Sequence, residues 1–393
     1  MALKMALTGN EAVALAMKQI NPDVVAAYPI TPQTDIVQYF SQFVADGEVD
    51  TVFVTVESEH SAMSATIGAA AAGARSMTAT SSQGLALMFE MLYIAASFRL
   101  PIVMPVVNRA LSAPVNIHCD HSDTMGARDS GWIQLYSENP QEAYDNTIQA
   151  LLIAEHADVR LPVMVCQDGF ITSHGLENLE VLEAQTVKDL IGEYRCEHSL
   201  LDVDRPVTIG ALDLQDYYYE HRMQQVHAVT KVQYVVLEVA AKFQEITGRK
   251  YGLFETYRLD DADFAVVIMN SAAGTAKVAV DQLRVKGVKA GLLKPRMFRP
   301  FPAAEITGAL GHLKAVAIMD RAESFANTGG PLYTETRAAL FDQGCQIKVA
   351  NYVYGLGGRD FTLREISKVY DDLARVADGG EFPAAVNHLG VRE

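Results

Sequence analysis

The sequence predicts an α/β protein: a parallel sheet covered by helices on both faces, followed by a second, smaller α/β domain. Short apolar, β-branched runs alternate along the chain with segments of helical periodicity, as in βαβ units. This alternation weakens after about residue 170 and restarts near Asp263. A chain of 393 residues also corresponds to two or three domains at about 150 residues each. We therefore expect a first domain over 1–247 and a second over 258–393.

In the first domain, caps and β-branched runs mark each element. Thr8 and Glu11 form a capping box that predicts a helix to about Lys18. The Ala-rich segment 59–74 predicts a helix that can pack closely because its residues are small. The remaining predicted elements are strands at 24–27, 51–56, 76–80, 101–107, 132–136 and 161–165, and helices at 34–45, within 81–97 and at 140–156.

The later part of the chain contains a weakly periodic segment and a second alternating region. Residues 108–131 are predicted to form a long polar loop, and residues 170–224 an irregular surface arm. A helix is predicted over 223–247, and the GRKYG run after it is typical of a linker. The second domain is predicted to contain strands at 264–270, 290–293, 314–320 and 346–353, with helices at 275–286 and 331–341.

Charge and cysteine content exclude several functions. The chain has 32 basic and 48 acidic residues, a net charge of −16, so nucleic acid and anionic membranes are poor partners. Its apolar stretches are much shorter than the ~20 residues of a membrane span, and the N-terminus does not resemble a secretory signal. We expect a cytoplasmic protein. The four cysteines are far apart, so this chain alone is not expected to hold an iron–sulfur cluster or zinc.

Residues that could contact a ligand follow five of the six predicted strands of the first domain. They are Tyr28, Pro29 and Thr31 in YPITP, Glu59 in ESEH, Ser82 and Gln83 in SSQG, Arg109 after VMPVVN, and Asp168 in QDG. Ligands of open parallel sheets bind beyond the carboxyl ends of the strands, so these groups are expected along one edge. From local features alone, three of these also have a structural interpretation: the YPITP run as a rigid proline turn, Glu59 as a helix-start acid, and Arg109 as the ion-pair partner of Asp120, Asp123 or Asp129.

Two further motifs suggest ligand sites only weakly. The run HCDHSD, residues 118–123, has a His-x-x-His spacing, but one short loop rarely supplies a complete metal site, and we expect no metal on this chain. The Gly-rich run 355–359 follows a strand without matching a nucleotide-binding pattern, so a dense turn is favoured over a nucleotide site.

Five colinear motifs, together with two in the second domain, resemble the α subunit of 2-oxoacid:ferredoxin oxidoreductases, in particular the multi-subunit pyruvate enzymes. The motifs are AAYPITPQT (26–34), VESEHSAMSATIGAAAAGAR (56–75), TATSSQGLALM (78–88), NRALSAPVNI with DHSDTMGARDSGW (108–117 and 120–132), DGF (168–170), LLKPRMFRPFP (292–302) and PLYTETRAAL (331–340). The resemblance implies a pyrimidine-binding domain for thiamine diphosphate followed by a domain similar to the transketolase C-terminal domain.

The same resemblance implies roles for individual residues. It places the glutamate that contacts the cofactor's pyrimidine ring, and so helps to remove the proton from its reactive carbon, on Glu59. It places the substrate-binding residues on Thr31 and Arg109. We also expect Tyr28, Pro29, Ser82 and Gln83, in the matched strand-end motifs, to contact the cofactor.

The resemblance further implies oxidative decarboxylation of a 2-oxoacid with coenzyme A and transfer of electrons to ferredoxin. The usual GDG…N motif for Mg²⁺ and diphosphate is absent, so Mg²⁺, the diphosphate site and the [4Fe-4S] clusters are expected on partner β, γ and ferredoxin-like δ subunits. Pyruvate is the expected substrate. Because His118 and Cys119 depart from the pyruvate pattern, a larger acid such as phenylglyoxylate or a branched-chain 2-oxoacid is the alternative. A second alternative is that the chain is a non-catalytic structural or electron-transfer subunit.

Overall fold

A computed structural model describes residues 3–392. The strands are β1 (Leu3–Leu7), β2 (Val24–Ala27), β3 (Val52–Thr55), β4 (Ser76–Met77), β5 (Val103–Asn108), β6 (Ile133–Ser137), β7 (Val163–Asp168), β8 (Glu177–Val181), β9 (Phe254–Tyr257), β10 (Phe264–Ile268), β11 (Ala290–Pro295), β12 (Met297–Arg299), β13 (Ala315–Asp320), β14 (Lys348–Val353) and β15 (Val386–His388).

The helices are α1 (Gly9–Ile20), α2 (Thr34–Ala45), α3 (Glu59–Ala71), α4 (Ser82–Leu87), α5 (Phe89–Ser97), α6 (Ser122–Gly126), α7 (Pro140–Glu155), α8 (Ala184–Ile191), α9 (Tyr218–Thr247), α10 (Ala272–Val285), α11 (Ala303–Leu310), α12 (Pro331–Asp342) and α13 (Leu363–Ala377). The capping box predicted at Thr8 and Glu11 is present at the start of α1.

The first sheet has seven strands in the order β12-β6-β7-β5-β4-β2-β3. All neighbours in it run parallel except β12 and β6. The second sheet has six strands in the order β15-β14-β13-β10-β11-β9, with only β9 antiparallel to its neighbour. The predicted α/β class, with a mainly parallel first sheet and a second α/β domain, is therefore confirmed.

Strand β12 connects the two sheets. It follows β11 of the second sheet directly in the chain, yet it pairs with β6 at the edge of the first sheet. One apolar core cluster also contains residues of both sheets, including Met104 and Val106 from β5 and Val267 and Ile318 from the second sheet. The two sheets are thus joined by backbone hydrogen bonds and a shared core.

Segment 170–224, predicted to be an irregular arm, is more ordered than expected at both ends. Its first part contains β8, which pairs with β1, and the amphipathic helix α8, while α9 already begins at Tyr218. β8 and α8 are short and bury few apolar residues, among them Leu179, Val187 and Ile191, so their signal in the sequence is small. The prediction was wrong for these parts; residues 192–217 are the longest stretch of the segment without helix or strand.

Two other sequence expectations need correction. The helix expected within 81–97 is two helices, α4 and α5, which meet at Met88. The short strands β1, β9, β12 and β15 and the helices α6, α11 and α13 were not anticipated; α6 lies within the predicted loop 108–131. Among the described residues, no helix combines the length and apolar character needed to cross a membrane.

Candidate functional site

The carboxyl edge of the first sheet brings the strand-end residues together. Along this edge β7 ends at Asp168, and its successive neighbours β5, β4, β2 and β3 are followed by Arg109, Ser82, Thr31 and Glu59 respectively. The register between β5 and β7 places Asn108 directly beside Asp168. The sheet order therefore places all five strand ends on one continuous rim.

Glu59 is a buried carboxylate without a protein partner. It begins α3 after the N-cap Ser58 and is only 7% exposed. Across residues 3–392, no side chain or backbone group hydrogen-bonds to it. A Cβ built on Gly84 would lie 2.8 Å from Glu59 Oε1 and 2.4 Å from Thr80 Oγ1, and that buried hydroxyl also has no hydrogen-bond partner. Buried carboxylates are normally paired, so this arrangement points to a ligand as the partner.

Thr31 and Arg109 are in direct contact. Arg109 Nη1 donates to the carbonyl oxygen of Thr31 at 2.8 Å, and Arg109 Nε donates to the carbonyl oxygen of Asn116, also at 2.8 Å. Two backbone acceptors from different loops thus fix the plane of the guanidinium and leave Nη2 without a protein acceptor among residues 3–392. A fixed guanidinium with an available N–H edge is suited to a carboxylate.

The buried carboxylate of Asp123 hydrogen-bonds to the backbone of this rim. Its Oδ2 accepts hydrogen bonds from the backbone N–H groups of Ser82 and Arg109, each at 3.0 Å. Its Oδ1 accepts from Asn108 Nδ2 and from the backbone N–H of Thr124. Burial raises the pKa of Asp123 to about 6, although these N–H donors oppose the shift. One carboxylate therefore sets the backbone at both Ser82 and Arg109.

Asp168 is buried between the two domains and hydrogen-bonds to residues of both. Its oxygens accept from His121 Nε2 at 2.8 Å, from Asn270 Nδ2 at 2.9 Å and from Arg321 Nη1 at 3.0 Å, and Ser271 Oγ also donates to it. Burial by itself acts to raise the pKa of Asp168, but the charges of Arg321 and His121 outweigh it and hold the pKa well below the ordinary aspartate range.

The rest of the DGF motif also has a structural explanation. A Cβ on Gly169 would lie 2.5 Å from the carbonyl oxygen of Asn108 and 2.9 Å from Pro32 Cγ, so the chain can pass there only without a side chain. The Phe170 ring packs between His118 and His174, with centroid distances of 5.0 and 4.8 Å. The motif thus packs three segments of the rim against one another.

The other residues expected at the cofactor lie on the same rim. Tyr28 and Gln83 are half-buried, Pro29 is exposed, and Ser82 is fully buried with its hydroxyl bonded to the carbonyl of Ala110 and to Gln83 Oε1. The Ser82 hydroxyl is therefore already hydrogen-bonded within the chain.

Two residues of the HCDHSD run, Cys119 and His121, contact Asp168. Side-chain ligand atoms of Cys119, His121 and Asp168 lie within 4.8 Å of one another. The positive charge at this point is supplied by Arg321, whose guanidinium pairs with Asp168. The Gly-rich run is a turn that contacts the loop after β5, because Gly357 N donates to Asp120 Oδ2 and Gly358 N to the carbonyl oxygen of Cys119.

Sequence reasoning missed several residues of this region. Asn270, Ser271 and Arg321 come from the second domain, 102 to 153 residues away from Asp168 in the chain. They follow β10 and β13 at the carboxyl edge of the second sheet, so applying the strand-end rule there would have singled them out. The sequence suggested Asp123 only as an ion-pair partner of Arg109; in the structure it binds the Arg109 backbone instead.

The chain matches two protein-family profiles. Residues 15–241 match "Pyruvate flavodoxin/ferredoxin oxidoreductase, thiamine diP-bdg", and residues 262–366 match "Pyruvate:ferredoxin oxidoreductase core domain II".

Individual relatives agree with these profiles. The chain is 55% identical over 390 residues to the pyruvate synthase subunit PorA of Thermotoga maritima, covering 99% of this chain and 98% of that protein. It is 43% identical over 385 residues to the ketoisovalerate oxidoreductase subunit VorA of Pyrococcus abyssi, covering 98% and 97% of the two chains. Among solved structures, the 2-oxoglutarate:ferredoxin oxidoreductase from Magnetococcus marinus superposes with a TM-score of 0.72 at 21% identity, covering 95% of this chain and 65% of that one, which shows a shared fold.

Proposed function

This chain belongs to the pyruvate flavodoxin/ferredoxin oxidoreductase family as an oxidoreductase subunit with a thiamine diphosphate-binding domain, and we propose that its complex acts on pyruvate. In this proposal, pyruvate and coenzyme A give acetyl-CoA and CO₂, and the two electrons released pass to ferredoxin. The 55% identity to a pyruvate synthase subunit over nearly the full chain supports pyruvate as the substrate.

The observation that carries the proposal is the unpaired, buried carboxylate of Glu59 on the rim that also holds Arg109. Glu59 fits the pyrimidine ring of thiamine diphosphate, because a ring nitrogen can supply the hydrogen bond that the carboxylate lacks. Gly84 keeps the space beside it open, since a side chain there would collide with Glu59.

When bound, thiamine diphosphate would supply the carbon nucleophile and accept the electrons of the cleaved carbon–carbon bond. Glu59 holds a negative charge next to the pyrimidine and so stabilises a positive charge or proton on that ring. Tyr28, Pro29, Ser82 and Gln83 would line the same end of the site.

Arg109 would bind the carboxylate of the 2-oxoacid. Its guanidinium plane is fixed by the carbonyls of Thr31 and Asn116, so little conformational entropy is lost when the substrate binds. The Thr31 hydroxyl has no hydrogen-bond partner in the part of the chain that the structure describes. It is therefore able to donate to the ketone or carboxylate oxygen.

The complete reaction needs partner subunits. The chain lacks a GDG…N motif, and its four cysteines do not cluster: Cys119 and Cys166 are buried, while Cys196 and Cys345 are half-buried in different regions. We propose that a β subunit holds Mg²⁺ and the diphosphate, and that γ and ferredoxin-like δ subunits complete the assembly. The [4Fe-4S] clusters would lie on these partners, with coenzyme A as co-substrate.

The decisive test is anaerobic purification of the native complex and assay of coenzyme A-dependent viologen reduction. Pyruvate, 2-oxoisovalerate, phenylglyoxylate and 2-oxoglutarate are compared by kcat/KM. We expect the highest value with pyruvate. A preference for 2-oxoisovalerate, which the 43% identity to a ketoisovalerate oxidoreductase subunit makes the second candidate, would keep the reaction and change the substrate. An intact complex without activity on any 2-oxoacid would contradict the proposal.

Replacing Arg109 by alanine in this complex is expected to raise KM for pyruvate by about 30-fold or more, because a charge-assisted hydrogen bond of roughly 2 kcal/mol is lost. Steady-state kinetics measure the effect, with Arg128→Ala as control: that half-buried arginine pairs with the exposed Asp129. Arg109→Lys should recover only part of the affinity, since an ammonium cannot form the planar paired contact. An unchanged KM in Arg109→Ala would remove this residue from the substrate site.

Asp123 is expected to produce an acid limb in the pH profile. Because its pKa in the folded chain is raised to about 6, lowering the pH through 6 neutralises it, and the N–H donors of Ser82 and Arg109 compete for a weaker acceptor. The value of kcat/KM should therefore fall with an apparent pKa near 6. In Asp123→Asn, activity should be low and nearly independent of pH in that range.

Protonation of Asp123 does not itself destabilise the fold. With a folded pKa above the unfolded value, the folded chain binds more protons at this site between about pH 4 and 6, so Asp123 itself stabilises the fold as the pH falls through that window. An acid limb of the same midpoint in Asp123→Asn would assign it to another group.

A further inference from the structure

Asn116 hydrogen-bonds the loop that carries Arg109 to the second domain, next to the contacts that Cys119 and Asp120 make with the same turn. Its side-chain Nδ2 donates to the carbonyl oxygen of Gly357 at 3.0 Å, and its Oδ1 accepts from the backbone N–H of His118 at 2.6 Å. Its own carbonyl oxygen accepts from Arg109 Nε at 2.8 Å. Asn116 therefore connects a turn of the second domain, a loop of the first domain and the guanidinium.

The turn that receives Asn116 has a rigid, glycine-specific geometry. Gly355, Gly357 and Gly358 have φ values of +64°, +57° and +79°, a region that residues with a side chain rarely adopt. A Cβ on Gly357 would lie 2.5 Å from Asn116 Nδ2. The turn is further fixed by the hydrogen bond from Gly358 N to the carbonyl of Cys119 at 2.7 Å.

We propose that Asn116 is a positioning residue: it seats the 109–118 loop on the Gly355–Gly358 turn and thereby sets the orientation of Arg109 toward the substrate carboxylate. This inference rests on the proposed function, in which Arg109 binds that carboxylate. It assigns the Gly-rich turn a specific purpose, because the second domain then controls substrate affinity without touching the substrate.

The pair of backbone acceptors explains why Asn116 is suited to this position. Arg109 is held by two carbonyls, one from Thr31 and one from Asn116. The Thr31 carbonyl belongs to the proline-containing turn after β2, whereas the loop around Asn116 has exposed residues from Ser112 to Val115. The hydrogen bond from Asn116 Nδ2 to the carbonyl oxygen of Gly357 therefore ties the residue that supplies the second acceptor directly to the second domain.

The experiment uses the assembled complex and compares KM and kcat for Asn116→Ala. Loss of these part-buried hydrogen bonds is expected to raise KM for pyruvate about 3- to 10-fold, with kcat changed less than about twofold. KM for coenzyme A should stay the same. A merely structural role would instead lower the active fraction, so that kcat falls and both KM values remain unchanged.

A second variant changes the contact between Asn116 and Gly357 on the side of the second domain. Gly357→Ala places a methyl group against Asn116 Nδ2 and should also raise KM for pyruvate. Gly344→Ala is the matched control, because Gly344 has a similar φ of +67° and nothing within 4 Å of the position that its new methyl group would take. It carries the same backbone strain without contact to the loop. In Asn116→Ala/Gly357→Ala the collision is relieved, so KM should not exceed that of the worse single variant.

The outcomes separate this inference from the proposed function. If Arg109→Ala raises KM for pyruvate while Asn116→Ala and Gly357→Ala leave it unchanged, Asn116 is not a positioning residue and the proposed function stands. If the wild-type complex has no 2-oxoacid activity, or Arg109→Ala has normal kinetics, both the positioning role of Asn116 and the proposed role of Arg109 are contradicted.

Discussion

Glu59→Gln is expected to lower kcat of the assembled complex by about 10²- to 10⁴-fold, the range typical for loss of a group that assists proton transfer. Glutamine keeps the size of the side chain but removes the charge, so it stabilises positive charge or a proton on the pyrimidine far less. Because Glu59 has no protein partner among the described residues, the substitution breaks no contact within the chain. The loss should therefore appear in kcat rather than in folding or assembly.

The adjacent acid Glu57 provides a matched control. It lies two residues earlier on the same connection into α3, is exposed, and accepts a hydrogen bond from Ser61 Oγ that lowers its pKa. Glu57→Gln is expected to leave kcat within about twofold, as for surface substitutions in general. Thiamine diphosphate content, measured in both purified variants, shows whether the cofactor is still bound.

The kcat of the Glu59→Gln complex also distinguishes a catalytic subunit from a structural or electron-transfer subunit. A structural or electron-transfer subunit would keep full activity in the Glu59→Gln complex. Normal kcat in that variant, with the complex intact, would therefore contradict a catalytic role for this chain.

The rim of the first sheet was predictable because it depends on a local rule. Polar residues at the carboxyl ends of parallel strands share an edge whatever the strand order, so Thr31, Glu59 and Arg109 could be grouped from the sequence. The direct contact of Arg109 with the Thr31 carbonyl agrees with that grouping. Their roles in binding and catalysis stay predictions until the kinetic tests are made.

The domain junction was not predictable in the same way. Asp168 is matched with Arg321 across 153 residues, and nothing in the spacing of either motif specifies that pairing. Short edge strands also escaped detection, since β12 has only three residues and pairs with a strand of the other domain. Such elements are set by tertiary contacts rather than by periodicity or propensity.

The substitution with the largest expected effect on stability is Arg321→Met. The guanidinium and the Asp168 carboxylate are 3.0 Å apart, with side-chain exposures of 2% and 0%. Removing one partner leaves a buried carboxylate without its main counter-charge, which typically costs about 3–5 kcal/mol. Because the low pKa of Asp168 depends on Arg321, the carboxylate in the variant should take up a proton at a higher pH than in the wild type.

Thermal inactivation of the assembled complex measures this effect, and we expect the half-inactivation temperature to fall by several degrees. Lys348→Met is the control: its ion pair with Glu381 is in the same domain but exposed, and such pairs contribute about 0–1 kcal/mol. The double variant Arg321→Met/Asp168→Asn removes both charges and should be more stable than the sum of the two single effects indicates. Additive effects would mean that the two residues stabilise the domain junction independently, and the ion pair would then not be what holds the second domain against the site.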